Sequence, residues 1–386
     1  MAEMTDKIAI KQDVVTKAIK TRHYIHAHPE LSGQEFETTK LITKKLLELG
    51  ITPLDLPLVT GVVADIGDSN KGPTIALRAD MDALPIVEAT DLLYASETLG
   101  VMHACGHDFH TSSLLAAAEV LKKHEDNLKG RIRFVFQPAE ETNHGARELI
   151  KAGTLKDVAA IIGFHNKPDL PVGTIGFKNE ALMAAVDQFA VRIIGTGTHA
   201  AAPQNGKDPI VTASQIVANA QAIISRYIAP TDSAVLSVTH IQGGNTWNVI
   251  PSDVFFEGTI RTFDETVRQK VKQLFADTIS HTTALYGQSF EIEWIPGTPA
   301  LYNDTDLGVI VKDVVSDFAK YQETGLTLGG EDFANYVHLI PGFFVFIGTG
   351  TPFEWHNPEF TVNDAAFPYA IAYYVNTSLR LLRHFN

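Results

Sequence analysis

The sequence predicts an α/β protein built on a mostly parallel sheet and interrupted by a smaller α+β unit. Three observations carry this. The chain has 386 residues, beyond the roughly 250–300 at which a single hydrophobic core stops growing. Its first part alternates strand-like apolar runs with helical periodicities, the signature of a parallel sheet with helices on its faces. From about Val186 to Ile295 the order becomes β-α-β-β-α-β, that of a ferredoxin-like sandwich.

The elements follow in order. Helical periodicity runs from about Val14 to Leu49, broken at His28-Pro29-Glu30. Val62–Ile66 and Thr74–Leu77 read as strands, and a helix is expected over Thr111–His124. Arg131–Phe136 is β-branched and aromatic, and Val158–Phe164 is a further apolar run. In the second unit, strands are expected over Val186–Ile194, Ala234–Ile241, Val254–Thr262 and Ser289–Ile295, with a Gly243-Gly244-Asn245 turn. Its helices should span Pro209–Arg226 and Glu265–Tyr286. A helix over Leu307–Lys320, a strand over Phe343–Ile347 and a last helix over Asp364–Arg383 complete the first unit. The expected domains are thus 1–182 with 297–386, and 183–296 as an insertion.

Hydrophobic residues make up 45% and charged residues 20%, an ordinary globular balance. Acidic residues outnumber basic ones 45 to 31, for a net charge of −14, which argues against nucleic acid and anionic membranes as partners. One cysteine excludes an intrachain disulfide. Met1–Lys11 is charged and shows no signal peptide, and no apolar run is long enough for a bilayer. The chain reads as soluble and cytoplasmic.

Chemistry concentrates in a few clusters. Met102–His110 holds three histidines, the sole cysteine and an aspartate. Cys105, His107, Asp108 and His110 put four ligand-type side chains into six residues ahead of an apolar helix, which favours a metal site over a buried structural cysteine beside surface histidines. Glu140-Glu141 follows a strand. One carboxylate could bind an ion while the other takes a proton from water, as metal-assisted hydrolysis requires; seen alone, the pair also reads as a helix cap. His165 and His356 admit both a ligand role and a packing role. Asp80/Asp82, Glu140/Glu141 and His165 each follow a predicted strand, and strand ends of open α/β sheets are where ligands bind.

Taken together, the segments resemble the amidohydrolase branch of the aminoacylase/carboxypeptidase dinuclear metallopeptidases, which includes hippurate hydrolases, N-acyl-amino-acid deacylases and auxin-conjugate hydrolases. The matching segments are Arg22–Glu30, Arg78–Pro85, Met102–His110, Gln137–Glu141, Gly163–Gly173, Gly195–Pro203, Asn248–Pro251, Gly258–Phe263 and Gly330–Phe333, in order along nearly the whole chain. The resemblance implies a metallopeptidase-type catalytic domain and a ferredoxin-like lid and dimerisation domain. It also implies two divalent ions per subunit (zinc, manganese, cobalt or nickel), bridged by Cys105. His107 and Glu141 would complete one ion, His165 and His356 the other. Glu140 would be the general base, with Asp82 orienting a ligand histidine. His199 would stabilise the oxyanion in a neighbouring subunit's site, and Asn248 and Arg261 would hold the substrate carboxylate. The implied reaction is amide hydrolysis of N-acyl amino acids or short peptides by a homodimer. N-acetyldiaminopimelate deacetylation and di- or aminopeptidase action are the alternatives, and a non-catalytic metal-stabilised binding protein is the rival from another class. Two departures stand out. Gly330 replaces a commoner serine, which removes a hydroxyl contact, and the unusual Asn143-His144 follows the glutamate pair.

Overall fold

A computed structural model of the chain describes residues 7–386. The first six residues of the Met1–Lys11 stretch, read above as free of a leader, lie outside them. The described chain divides into two compact units: residues 7–180, 302–325 and 332–386, and residues 181–301 with 326–331.

The first unit opens with α1 (Gln12–Ala27) and α2 (Phe36–Glu48), separated by an eight-residue loop over 28–35 that is longer than the predicted break. Then come β1 (Val62–Gly67), β2 (Thr74–Asp80), α3 (His107–Lys122), β3 (Arg131–Gln137), α4 (Gly145–Lys151), β4 (Val158–Lys167) and β5 (Thr174–Phe177). The second unit takes the chain from β6 (Glu180–Met183) through β7 (Ala185–Ile194), β8 (Thr198–His199), α5 (Pro209–Ala222), β9 (Ala234–Gly243), β10 (Val249–Ile250), β11 (Asp253–Thr262), α6 (Glu265–Leu285) and β12 (Ser289–Pro296). After β13 (Leu301–Asn303) the first unit resumes with α7 (Thr305–Ser316), β14 (Lys320–Glu323), α8 (Ala334–Val337), β15 (Gly342–Gly348) and α9 (Phe367–His384).

The first unit's sheet has the order β1-β3-β2-β4-β15-β5-β14. Its centre is parallel: β3 with β2, β2 with β4, and β4 with β15. Only β1 against β3 and β5 against β15 run antiparallel. β2 and β15 are buried along their whole length, which explains why they read as unbroken apolar runs rather than alternating ones. α3 is buried over fifteen of its sixteen residues and packs with α1 and α9 on the sheet.

In the second unit β12, β7, β11 and β9 form an antiparallel sheet in that order. Burial alternates along β7 and β11, as expected where only one face is covered. α5 and α6 cover that face, with Ile216 and Ala220 meeting Val271, Phe275 and Ile279 among Phe189, Val191 and Phe256. This is the β-α-β-β-α-β sandwich. Asp187, buried on β7, holds Arg268 and Lys272 of α6 at 2.6 and 3.0 Å. Gly330 also belongs here: a Cβ would sit 2.5 Å from Val186 Cγ2, so the commoner serine would be crowded. Among the described residues no helix is long and apolar enough to cross a membrane.

Several boundaries differ from expectation, and three of them have a clear cause. α3 begins at His107, not Thr111, because its first turn carries polar residues that are nonetheless buried. β4 continues through His165 to Lys167, its partner β15 running alongside to Gly348. The helix expected to Lys320 ends at Ser316, and Lys320 opens the short edge strand β14.

Candidate metal centre

The parallel strands β3, β2, β4 and β15 bring their carboxyl ends to one edge, the place where open α/β sheets bind ligands. Each delivers part of a cluster there. β2 ends at Asp80 and leads into Asp82. β3 leads through Pro138 into Glu140 and Glu141, and β4 carries His165. The loop after β15 carries His356, and Cys105 and His107 flank the start of α3. Gly106 between them is left-handed (φ 86°), a conformation glycine adopts without steric cost. His356 is also left-handed (φ 65°), held by its N–H donating to the Ala104 carbonyl at 2.8 Å.

The five side chains converge. Cys105 Sγ lies 3.3 Å from His165 Nε2. Glu141 Oε1 lies 3.9 Å from His107 Nε2 and 3.5 Å from His356 Nε2. Ligand atoms fall into groups within 4.8 Å of one another: Cys105 with His107 and His165, Cys105 with Glu141 and His356, and His107 with Glu140 and Glu141. Cys105 is common to the first two.

Three features fit this donor set to divalent cations. His107 Nε2 and Glu141 Oε1 are buried and make no hydrogen bond, an expensive state for polar atoms unless something else satisfies them. The other nitrogens are already used. His107 Nδ1 faces Asp82 Oδ1 at 3.2 Å, and His165 Nδ1 donates to the Asn166 carbonyl at 2.8 Å, which leaves each ring's Nε2 facing inward. Burial, reinforced by the Glu141 carboxylate, pushes the Cys105 thiol well above its ordinary range. A bound cation supplies the positive charge that makes such a sulfur a thiolate. These groups, of which His356 is exposed and Glu141 half-buried, could hold two metal ions.

The surrounding carboxylates are committed. Asp82 Oδ2 accepts from Ser32 Oγ at 2.7 Å and from the Glu141 N–H at 3.0 Å. Burial opposes ionisation of Asp82, yet the His107 contact and these donors hold its pKa below the usual range. His110, a cluster member without an assigned role, is a bridge. Its Nδ1 donates to Asp80 at 2.5 Å and its Nε2 accepts from the Asn166 N–H at 3.0 Å. Asp108 is turned away from the centre, accepting from Arg22 Nε at 3.0 Å and His26 Nδ1 at 2.9 Å. Glu140 is buried, and its Oε1 accepts from the Asp332 N–H at 3.3 Å. Asp332 is itself fixed by Arg78, Gln137 and Ala146; burial pushes its carboxyl up to about 6 against the pull of Arg78. The glutamate pair is not a helix cap, since α4 starts only at Gly145. His144 is exposed in that turn.

The other three sequence-predicted residues lie in the second unit. His199 and Asn248 are brought side by side: the Ala200 N–H donates to the Asn248 carbonyl at 3.0 Å, and His199 pairs with Val249 across β8 and β10. His199 is exposed and its Nδ1 accepts from the Ala201 N–H, which leaves Nε2 to carry the proton of the neutral ring. Arg261 stands apart on β11, between Val186 and Val235, its guanidinium donating to Thr259 Oγ1.

Sequence reasoning missed Glu35, which touches the glutamate turn from behind, and Asn166, whose Nδ2 donates to the Cys105 carbonyl at 2.6 Å. For Asn166 a signal existed in its adjacency to His165; for Glu35 there was none.

A family model described as peptidase family M20/M25/M40 matches residues 76–380. The chain belongs to this family. Membership makes it a hydrolase. Among curated relatives, the N-acetyl-L-cysteine deacetylase of Bacillus subtilis strain 168 is 50% identical over 94% of this chain and 88% of its own length. The Arabidopsis thaliana IAA-amino acid hydrolase ILR1-like 4 is 36% identical over 97% and 88%. Among solved structures, a Bacillus subtilis protein described as a dinuclear metal-binding peptidase of the M20 family superposes with a TM-score of 0.87 at 43% identity, covering 97% of this chain and 99% of that one. A putative aminohydrolase from methicillin-resistant Staphylococcus aureus reaches 0.92 at 30% identity over 96% and 97%.

Proposed function

We propose that this chain hydrolyses the amide bond of N-acyl amino acids, releasing the free amino acid and a carboxylic acid. The observation that carries the reading is Glu140, a buried carboxylate beside Glu141 and His107. A site that only bound metal would have no use for a second carboxylate there. Cys105, His107, Glu141, His165 and His356 would together hold two divalent ions, with Cys105 common to both groups of donors. When bound, the ions supply Lewis acidity toward the scissile carbonyl and lower the pKa of water.

The chain's own groups do the rest. Glu140 takes a proton from the attacking water and delivers it to the leaving amine. The Asp332 N–H donates to its Oε1 and so helps to orient the carboxylate. Asp82 holds the His107 ring by Nδ1, so that Nε2 remains the donor. Asn248 and Arg261 grip the substrate carboxylate, for which a guanidinium fork is suited. His199 Nε2–H stabilises the developing oxyanion. In this reading the second unit pairs two copies of the chain and presents His199 to the partner's centre.

The test is metal analysis of the purified protein coupled to a substrate panel: N-acetyl-cysteine, other N-acetyl-amino acids, hippurate, N-acetyldiaminopimelate and unblocked dipeptides. Turnover of acylated amino acids with two ions per subunit is the expected result. Activity on unblocked peptides alone would displace this reading in favour of a peptidase. A strong preference for N-acetyldiaminopimelate would assign the chain to lysine synthesis.

A further inference from the structure

The chain reaches the Glu140-Glu141 pair through a strained turn. Ala139 is left-handed (φ 52°), a conformation that disfavours any side chain with a Cβ. Such a residue persists only where its surroundings over-determine it. Its carbonyl is taken by the His144 and Gly145 N–H groups at 3.3 and 3.1 Å, which closes the turn on one side. Its N–H points the other way and donates to Glu35 Oε1 at 2.8 Å.

Glu35 is fully buried, an unusual place for a carboxylate unless every lone pair has a purpose. It accepts the Gly33 N–H at 2.9 Å on the same oxygen and Thr60 Oγ1 at 2.9 Å on the other. It hydrogen-bonds to none of the five candidate ligands. One residue beyond the pair's first member, the Glu141 N–H donates to Asp82, and Asp82 is held by Ser32 from the same loop over 28–35. The backbone on both sides of Glu140 is therefore gripped by carboxylates, and both grips run through one loop. Asp82 also orients His107, whereas Glu35 has no second task at the centre.

We propose that Glu35 is a positioning residue: by accepting the Ala139 N–H it holds the left-handed turn that aims Glu140 at the reacting water and Glu141 at the metal. This rests on the hydrolase reading above. Glutamine at this position keeps the geometry, since its amide oxygen accepts both N–H groups and its amide nitrogen donates to Thr60 Oγ1. Alanine removes it. Glycine at 139 adopts the left-handed conformation freely and needs no grip.

The experiment compares Glu35→Gln, Glu35→Ala and the double variant Glu35→Ala/Ala139→Gly, each loaded with cobalt. For Glu35→Ala we expect kcat to fall at least about ten-fold, with KM within about three-fold and two ions retained, the pattern of a misaimed base. Glu35→Gln stays within about three-fold of wild type, and the double variant regains at least about three-fold over Glu35→Ala. A folded, metal-loaded Glu35→Ala with wild-type kcat overturns the proposal. Should Glu35→Ala fail to fold, restored folding and turnover in the double variant supports it; continued failure makes Glu35 a general packing element and overturns it. The visible absorption of the cobalt form is a second readout that needs no substrate, because it follows how Glu141 ligates. A changed spectrum in Glu35→Ala with an unchanged one in Glu35→Gln supports the grip, and three superimposable spectra refute it. If wild type hydrolyses nothing in the panel, the hydrolase reading fails while the spectrum still decides on Glu35.

Discussion

Gly106 lies between two candidate ligands, and replacing it with alanine tests the architecture of the centre. At φ 86° an alanine pays the left-handed penalty of about 1–2 kcal/mol. Its Cβ would also lie 2.4 Å from Asn166 Nδ2, 3.1 Å from Asn166 Cγ and 3.2 Å from Val362 Cγ2. Asn166 is not a flexible end that can swing away. It is fully buried, its Nδ2 donates to the Cys105 carbonyl at 2.6 Å, and Trp355 Nε1 donates to its Oδ1 at 3.2 Å. Displacing it strands at least one buried polar group, worth about 1–3 kcal/mol. The sum is about 2–5 kcal/mol, or roughly 4–20 °C in Tm for a domain of this size. Gly33→Ala is the control: φ is 75° but nothing lies within 4 Å of the new Cβ, so only the conformational part applies. Thermal unfolding of the metal-free proteins measures the difference, and metal analysis shows whether the ligands still converge. Equal Tm losses for the two variants, with full metal content at Gly106→Ala, would refute the claim that Asn166 holds the cysteine loop in place.

Other outcomes follow from the same geometry. Glu140→Gln should lower kcat by about 10²–10⁴-fold while metal content stays near wild type, read by steady-state kinetics and elemental analysis. Cys105→Ala should lose metal and turnover together; a variant that still bound two ions would show the thiolate is no bridge. In the second unit, burial works against the Asp187 carboxylate, but Arg268 and Lys272 outweigh it and hold its pKa below the usual range. A lowered folded-state pKa gives stability that is present above the unfolded value, about 4, and is lost as pH falls through the folded one. Asp187→Asn should therefore destabilise by about 2–3 kcal/mol at neutral pH, with the gap to wild type closing in acid, as urea titrations at pH 7 and pH 3 would show.

The centre was legible where ligand-type residues crowd together. Cys105, His107, Asp108 and His110 announce themselves by density, and Glu140, Glu141 and His165 by following apolar runs that are strands in the structure. His110 and Asp108 were visible as polar residues, but not their opposite orientations, which depend on whether Asp80 or Arg22 lies across from them. The start of α3 was hidden because His107-Asp108-Phe109-His110 lacks apolar periodicity although each residue is buried. The short strands β5 and β14 escaped notice: β14 is polar and sits at the sheet edge, with no alternation to betray it. Glu35 was beyond reach of pattern reading, since its decisive partner is 104 positions away and is a backbone N–H, which any residue type would supply.

Cys105 is the chain's single cysteine, and it is buried. A thiol-directed reagent therefore has one address in the whole molecule, and that address is the floor of the centre. A fluorophore could be installed on an added surface cysteine, because the native sulfur is shielded by its own burial.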